Sequence, residues 1–387
     1  GIFSIPLNST FVFKKILTMK TTDIVVVGGG IIGFSLAYGL AKKGAHVNVL
    51  DNVKGMYSAS RGNFGLVWVQ GKGQGMPHYA EWTLQASREW HNFSEELSDA
   101  SGIEIDYQQP GGFEVCLGEK EWSMRKAELE QLRDEFPGGN YDYQMLDRKQ
   151  MQEYIPKMRL GEIVTGASYC QHDGHLNPLK LLTALIAAHK EIGAEFYTDQ
   201  KVESVSYRNK CFEIKTAKDN YSAKKVVLAC GLGIKELAQQ VGLKIPIRPQ
   251  RGQILVTERA KPSLEFPFVT IRQTHEGSFM LGASHEEVGY NTETTLDQMR
   301  KIAIHTVQTF PELSRLQLIR CWGALRILTP DAKPVYVESE SCPGAYVTTS
   351  HSGITLTPLH ARILPAWILE GTTPEGFEQF HSNRFDA

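Results

Sequence analysis

Gly28-x-Gly30-x-x-Gly33, with Asp51 closing the next apolar run, has the residue types and spacing to hold a dinucleotide. The first glycine permits a tight turn and the second lets a pyrophosphate approach the backbone. The third lets a helix pack closely on a strand. A helix opening at this turn presents free N–H groups and the positive end of its dipole to phosphates. Asp51 can accept hydrogen bonds from a ribose diol, and its charge disfavours a 2′-phosphate and hence NADP. It does not separate FAD from NAD. A glycine turn that only packs would leave Asp51 unexplained.

Three further features favour FAD. Ser60-Arg61-Gly62-Asn63-Phe64-Gly65 follows soon after the second strand, and its small residues and single arginine suit a chain passing along a pyrophosphate. A buried-type strand at Val226 runs into Gly231 far downstream. A C-terminal turn, Ser350-His351-Ser352-Gly353-Ile354-Thr355, precedes a helix with Pro358 near its start and Gly371 past its end. A helix N-terminus there can stabilise negative charge on a reduced flavin ring.

The elements that must position these residues are legible. Asp23 to Val27 reads as a buried parallel strand, Phe34 to Lys43 as a helix closed by Gly44, and His46 to Leu50 as a second strand. Tyr79, Trp82, Ala86, Trp90, Phe93 and Leu97 form an aromatic stripe on a helix over Tyr79 to Asp99, better read as a core face than a pocket lining. Asn177 caps a helix with Pro178 at its first turn and Gly193 at its end. Val202–Tyr207, Phe212–Thr216 and Lys225–Ala229 read as strands, and Gly252–Thr257 and Ser278–Ala283 as strands of a separate sheet. Leu296 to Phe310 reads as an amphipathic helix with Leu296, Met299, Ile302, Ala303, Thr306, Val307 and Phe310 on its apolar side.

The 387 residues suffice for two connected domains, and 42% hydrophobic with 22% charged residues is ordinary for a globular protein. A formal charge of −2 with no basic run gives nucleic-acid binding no support. None of the six cysteines forms a C-x-x-C pair, so no metal site is expected; they read as small buried thiols in a reducing compartment. No apolar run reaches membrane-spanning length. The leader breaks at Lys14-Lys15 and lacks a cleavage site, so residues 1–19 read as a disordered, artificial or upstream extension.

Together these residues resemble the D-amino-acid oxidase superfamily of flavoenzymes, from about Thr22 to Gly371. The segments that carry the resemblance are Asp23-Ile-Val-Val-Val-Gly-Gly-Gly-Ile-Ile-Gly33, His172-Asp-Gly-His-Leu-Asn-Pro178, Val227-Leu-Ala-Cys-Gly231, Ile247-Arg-Pro-Gln-Arg-Gly-Gln253, Trp322-Gly-Ala-Leu-Arg-Ile-Leu-Thr-Pro-Asp331 and His351-Ser-Gly-Ile-Thr-Leu-Thr-Pro358. Asn63-Phe-Gly-Leu-Val-Trp-Val-Gln70 is most similar to flavin subunits of opine oxidases, hydrogen cyanide synthases and D-hydroxyproline dehydrogenases, and the chain as a whole also resembles glycine oxidases. The resemblance implies an α/β fold: a Rossmann-like, GR2-type FAD-binding domain with an interleaved α+β substrate domain on an antiparallel sheet. The division expected is 20–78, 168–245 and 322–387 for the first, and 79–167 and 246–321 for the second.

The resemblance further implies FAD held through Gly28, Gly30, Ile32, Asp51, Ser60, Arg61, Val202, Gly231, Gly353 and Thr355. Gly33, Asn52, Gly62, Asn63, Ala229, Ile354 and Leu356 join this set. Amino-acid-oxidising members grip the substrate carboxylate with an arginine matching Arg326, a role that a planar fork of donors suits. Members that bind flavin covalently have a cysteine where this chain has Ala324, so the FAD is expected to be noncovalent. The same enzymes activate oxygen with a lysine whose nearest counterpart here is Met280, which tilts the balance towards a dehydrogenase.

The implied reaction is oxidation of an amino acid or N-substituted amino acid. Hydride leaves the α-carbon for flavin N5, and the imine hydrolyses. His351 is the first candidate for proton handling and His275 the second. The alternatives are a hydroxy-acid or glycerol-phosphate dehydrogenase, a flavin-bearing electron-transfer subunit that needs a partner, and an NAD enzyme. A small amino-acid-like substrate and a partner subunit or electron acceptor are expected. So is a cytoplasmic location, or a peripheral one at the inner membrane if the enzyme feeds a respiratory chain.

Overall fold

The computed structural model describes residues 19–52 and 58–386. The leader up to residue 18 lies outside them. Met19 already belongs to the first strand, Met19–Val27, which extends further upstream than its apolar half.

The larger sheet is built on parallel pairings. In spatial order its central strands are Glu195–Tyr197, Val47–Leu50, Met19–Val27, Asn220–Leu228 and Ala345–Thr349, with Val335–Glu338 added antiparallel at the edge. Strand order reverses beside Met19–Val27, so a crevice opens where neighbouring connections leave in opposite directions. The register pairs Val27 with Leu228 and with Leu50. The glycine turn at Gly28, the Ala229–Gly231 turn and Asp51 therefore emerge side by side at the carboxyl edge, joined by Ser350 beyond Thr349.

The first helix, Ile31–Lys42, is buried on nearly all sides because other helices cover it. It packs against Pro178–Glu191 and Thr357–Arg362. Asn177 caps the former, its Oδ1 accepting from the backbone N–H groups of Leu179 and Lys180 at 3.1 Å. The aromatic helix, Pro77–Ser101, buries Tyr79, Trp82, Ala86, Trp90, Phe93 and Leu97 in this same core. Its stripe is thus a core face of the parallel-sheet layer, although the chain-order division assigned this helix to the substrate domain.

A separate antiparallel sheet has the order Ile271–Gln273, Ser278–Gly282, Arg248–Arg259, Leu318–Leu328. The last strand pairs with Arg248–Arg259 from end to end. Residues 322–328, placed by chain order with the FAD domain, thus belong to the antiparallel sheet. A three-stranded sheet of Gly112–Leu117, Val164–Cys170 and Gln144–Asp147 shares that sheet's core.

Other expectations need correction. The apolar side of Leu296–Thr309 is only half used: Ile302 and Thr306 are buried, but Leu296 is 84% exposed and Val307 36%. The helix expected to run to Gly371 is two, Thr357–Arg362 and Leu364–Glu370. Pro365 accounts for the break, since it lacks an N–H and crowds the preceding turn. Gly371 ends the second in the left-handed conformation. All six cysteines are free; Cys116 and Cys170 are buried, but Cys211 is exposed on its strand.

Candidate functional site

Two cavities meet at the carboxyl edge of the parallel sheet. The first, about 350 Å³, runs from Asp51 and Asn52 across Gly28, Gly30 and Ile32. Ser60, Arg61 and Asn63 form one side and Ala229 and Gly231 another, with Gly353 and Ile354 near the far end. The second, about 450 Å³, continues between the two sheets, and Asn63, Ile327, Ser350, His351 and Ile354 line both. Gly62 and Thr355 line the second only.

The first cavity fits a dinucleotide on its geometry. Gly28 sits at φ +114°, and a Cβ there would lie 2.4 Å from the carbonyl oxygen of Ala229. The turn can therefore be closed only by glycine. Helix Ile31–Lys42 opens on this space with no side-chain cap of its own. Ser60 Oγ accepts from the N–H of Ile31 at 3.0 Å, tying the Ser60 loop to the helix end. Uncapped N–H groups at a positive helix end, with Asp51 one strand away, supply what a pyrophosphate and a ribose need.

Three predicted contacts stand behind these walls. Gly33 is inside the helix, where a Cβ would meet the carbonyl oxygen of Gly28 at 1.9 Å, so it sets helix–strand packing. Val202 is buried in the core behind the parallel sheet, and Leu356 is buried at the start of Thr357–Arg362. None of the three lines either cavity.

The C-terminal turn is clamped by the aromatic helix. Tyr79 Oη and Ser352 Oγ are 2.5 Å apart, and Trp90 Nε1 donates to the Thr355 carbonyl at 2.9 Å. Thr355 Oγ1 accepts from the N–H of Trp68 at 3.0 Å, which draws the Leu66–Gln70 segment over the second cavity.

Arg326 projects from strand Leu318–Leu328 into the second cavity. Its guanidinium lies across Gly252 of the paired strand, where a Cβ would be 2.7 Å from both terminal nitrogens. Nη1 donates to the Ser284 carbonyl at 2.9 Å. Among the described residues no carboxylate pairs with Arg326. Glu286, whose charge acts on Arg326, is taken by Arg251 at 2.7 Å and also accepts from Ser284 and Gln253. Those donors hold the Glu286 carboxyl down at about 2. Burial lowers the Arg326 pKa, but a guanidinium keeps its charge.

His351 opens onto the space shared by both cavities and is exposed there. Desolvation, then the charges of Lys72 and Arg326, hold its imidazole well below the ordinary range. His275 is exposed in the turn between Ile271–Gln273 and Ser278–Gly282 and lines neither cavity. Ala324 lines the second cavity, and Cys321 does not. Met280 is buried outside both linings, its Sδ accepting from Arg272 Nη2 at 3.1 Å.

Sequence reasoning missed Lys72, Glu114 and His285, all of which line the second cavity. Lys72 had a local signal, a lysine between Gly71 and Gly73 directly after the Asn63–Gln70 motif. Glu114 and His285 had none.

These features define a flavin-type dinucleotide fold with a second cavity beside it. The chain belongs to the FAD-dependent oxidoreductase family DAO, whose family model matches residues 23–367. It is an enzyme of that family, and its cofactor is FAD. It is 37% identical to an opine oxidase subunit of Agrobacterium tumefaciens (strain Ach5) over 369 residues, covering 95% of this chain and 99% of the relative. It is 24% identical to hydrogen cyanide synthase subunit HcnC of Pseudomonas protegens, covering 95% and 97%. In fold it is similar to glycine oxidase from Geobacillus kaustophilus, with a TM-score of 0.86 at 22% identity over 94% of this chain and 99% of that one. No helix among the described residues is long and apolar enough to cross a membrane.

Proposed function

We propose that this enzyme oxidises the C–N bond of an amino acid or N-substituted amino acid, with the substrate carboxylate on Arg326. The observation that carries the reading is a guanidinium free of any carboxylate partner among the described residues, in a cavity that shares a wall with the dinucleotide cleft. The relatives named opine oxidase and glycine oxidase support the substrate class.

Bound FAD supplies a two-electron acceptor for the hydride that leaves the α-carbon. Gly28, Gly30, Ile32, Asp51, Ser60, Arg61 and the Gly353–Thr355 turn are the residues placed to hold it. Arg326 fixes the carboxylate and so the direction of the α-carbon hydrogen. The Arg326 charge beside the amine disfavours an ammonium and favours the neutral amine, whose lone pair forms the imine. Held neutral, His351 can hydrogen-bond the amine but is a weak proton acceptor, so the reaction uses no strong side-chain base. Water adds to the imine, leaving an oxo acid and an amine.

The FAD is held noncovalently in this reading. Ala324 offers no thiol, and burial pushes the Cys230 thiol, the one lining the first cavity, up to about 12, far from a reactive thiolate. Met280, engaged with Arg272, gives no cation for oxygen activation, so the electrons pass to another acceptor. Relatives named as subunits support a partner protein for that step, and a cytoplasmic enzyme docking on a membrane acceptor suits it. Arg326→Met tests the proposal: anaerobic flavin reduction by amino acids should show substrate affinity at least 10-fold weaker. Unchanged affinity removes Arg326 from the site.

A further inference from the structure

The two halves of the site stand on different layers of the fold. The segment Gly62–Gly65 comes from the parallel-sheet side: Asn63 lines both cavities and Phe64 lines the second. Its continuation, Leu66–Val67, pairs with Gly174–His175, and Val67 is buried in the core of that layer. Arg326 stands on the antiparallel sheet. Hydride transfer needs a substrate held by one layer to meet an acceptor held by the other at a fixed distance. Among the described residues no strand ladder joins Gly62–Gly65 to the antiparallel sheet, so side chains set that spacing.

Arg272 and Trp322 are those side chains. Arg272 is on Ile271–Gln273 at one edge of the antiparallel sheet, and Trp322 is on Leu318–Leu328 at the other. Trp322 Nε1 donates to the Gly62 carbonyl at 3.1 Å. Arg272 Nε donates to the Phe64 carbonyl, and its guanidinium lies over the Phe64 ring, 5.7 Å from the centroid. Two carbonyls of one short segment are thus pinned from opposite edges of one sheet. Glycine lets the seam close: a Cβ at Gly65 would lie 2.7 Å from Arg272 Nη2, and one at Gly62 would lie 2.6 Å from the Ala324 Cβ.

A buried guanidinium is an expensive strut. Arg272 is 4% exposed, and burial pulls its pKa down to about 10, which still leaves it charged. The charges of Glu276 and Asp106 act on it, but its hydrogen bonds run to the Phe64 carbonyl and to Met280 Sδ. An apolar side chain would fill the same space without the desolvation cost. Only a directional donor fixes where the carbonyl sits.

We propose that Arg272, seconded by Trp322, is a positioning residue for the oxidation: it sets the spacing between the cofactor-side wall and the substrate. This rests on the amino-acid reading, with the substrate carboxylate on Arg326. Arg272 lines neither cavity. It acts through Phe64 and through Asn63, whose Oδ1 accepts from the N–H of Gly65 at 2.8 Å.

The test compares FAD-loaded wild type, Arg272→Met and Trp322→Phe by rapid-mixing anaerobic flavin reduction. The probes are sarcosine, iminodiacetate and both enantiomers of alanine and proline. In Arg272→Met the limiting rate should fall about 10- to 100-fold, the scale of a misplacement near 1 Å. The substrate dissociation constant should stay within about 3-fold, because Arg326 is untouched. Trp322→Phe keeps a ring and loses the donor to Gly62, so its rate should fall as well, by less. Arg272→Lys, which keeps the charge and a donor, should recover most of the rate. The visible circular dichroism of the flavin without substrate should change in Arg272→Met and Trp322→Phe, which reports the wall independently of turnover. A wild-type limiting rate in FAD-loaded Arg272→Met, or a loss confined to affinity, flavin content or melting temperature, overturns the positioning role and leaves the amino-acid reading standing. If Arg272→Met takes up no FAD, Trp322→Phe decides, and a wild-type rate and dichroism there overturn the seam. Failure of every probe to reduce the wild-type flavin overturns the amino-acid reading, and the proposal with it.

Discussion

Replacing Gly252 by alanine should disable carboxylate binding without touching Arg326 itself. Gly252 pairs with Ala324 in the antiparallel ladder and has no left-handed backbone, so alanine brings no dihedral strain. The added methyl would lie 2.7 Å from both terminal guanidinium nitrogens and 2.8 Å from Cζ. The strand backbone cannot move without breaking its pairing, so the arginine head must swing away and give up its 2.9 Å bond to Ser284. A charge-assisted hydrogen bond to a carboxylate is worth about 1.5–3 kcal/mol, so the substrate dissociation constant should rise about 10- to 150-fold. Rapid-mixing anaerobic flavin reduction over a range of substrate concentrations gives that constant and the limiting rate separately. The limiting rate should fall too, because a misplaced carboxylate turns the α-carbon hydrogen away. Thermal stability should change by less than about 1 kcal/mol, as for most changes that bury no unpaired group. A variant with wild-type affinity, FAD content and limiting rate would show that the guanidinium does not hold the substrate.

Gly28→Ala should leave the protein largely without FAD, since the new Cβ would collide with the Ala229 carbonyl at a φ that alanine rarely adopts. The ratio of flavin to protein absorbance after purification measures this, and a fully yellow variant would refute the cradle. The Glu286–Arg251 pair should appear in the acid stability of the fold. A carboxyl lowered in the folded state from 4.5 to about 2 contributes stability that is complete above the unfolded value and is lost as pH falls through the folded one. The loss between pH 5 and 2 should approach about 3 kcal/mol as an upper bound. Thermal melts across that range should show a shallower pH dependence for Glu286→Gln than for wild type, and parallel curves would remove the pair from the account.

The dinucleotide half of the site was legible because its information is local. Strand, glycine turn, helix and Asp51 lie within some thirty consecutive residues, and Gly33 answers to Gly28 inside that unit, although Gly28 itself answers to Ala229 and Gly30 to Ser60. The C-terminal turn was legible for the same reason. Val202 and Leu356 sit behind the cavity walls instead, because the motif gives proximity in sequence and the packing decides which face of an element is turned inward. The helix at Leu296–Thr309 shows the same limit. Its apolar spacing was real, but Leu296 and Val307 face outward, and periodicity alone does not say what covers a face.

The substrate half is assembled differently. Lys72 follows a short strand, Glu114 lies on a separate three-stranded sheet, His285 follows an antiparallel hairpin, and Arg326 is on the strand that closes the second sheet. Nothing in the spacing of residues 72, 114, 285 and 326 foretells that they meet, because their distances are set by sheet pairing across the chain. Charge bookkeeping recovers what spacing cannot. Each acid near the cavity can be matched to a donor: Glu286 to Arg251, Glu114 to Arg125, and Asp173 to the Gln70 segment. Arg326 remains after that matching, whereas Lys72 lies in the field of Asp173 and Glu114. A fold that leaves a half-buried guanidinium without a carboxylate sacrifices stability at that point. The sacrifice has a physical rationale if an anionic ligand restores the balance when it binds.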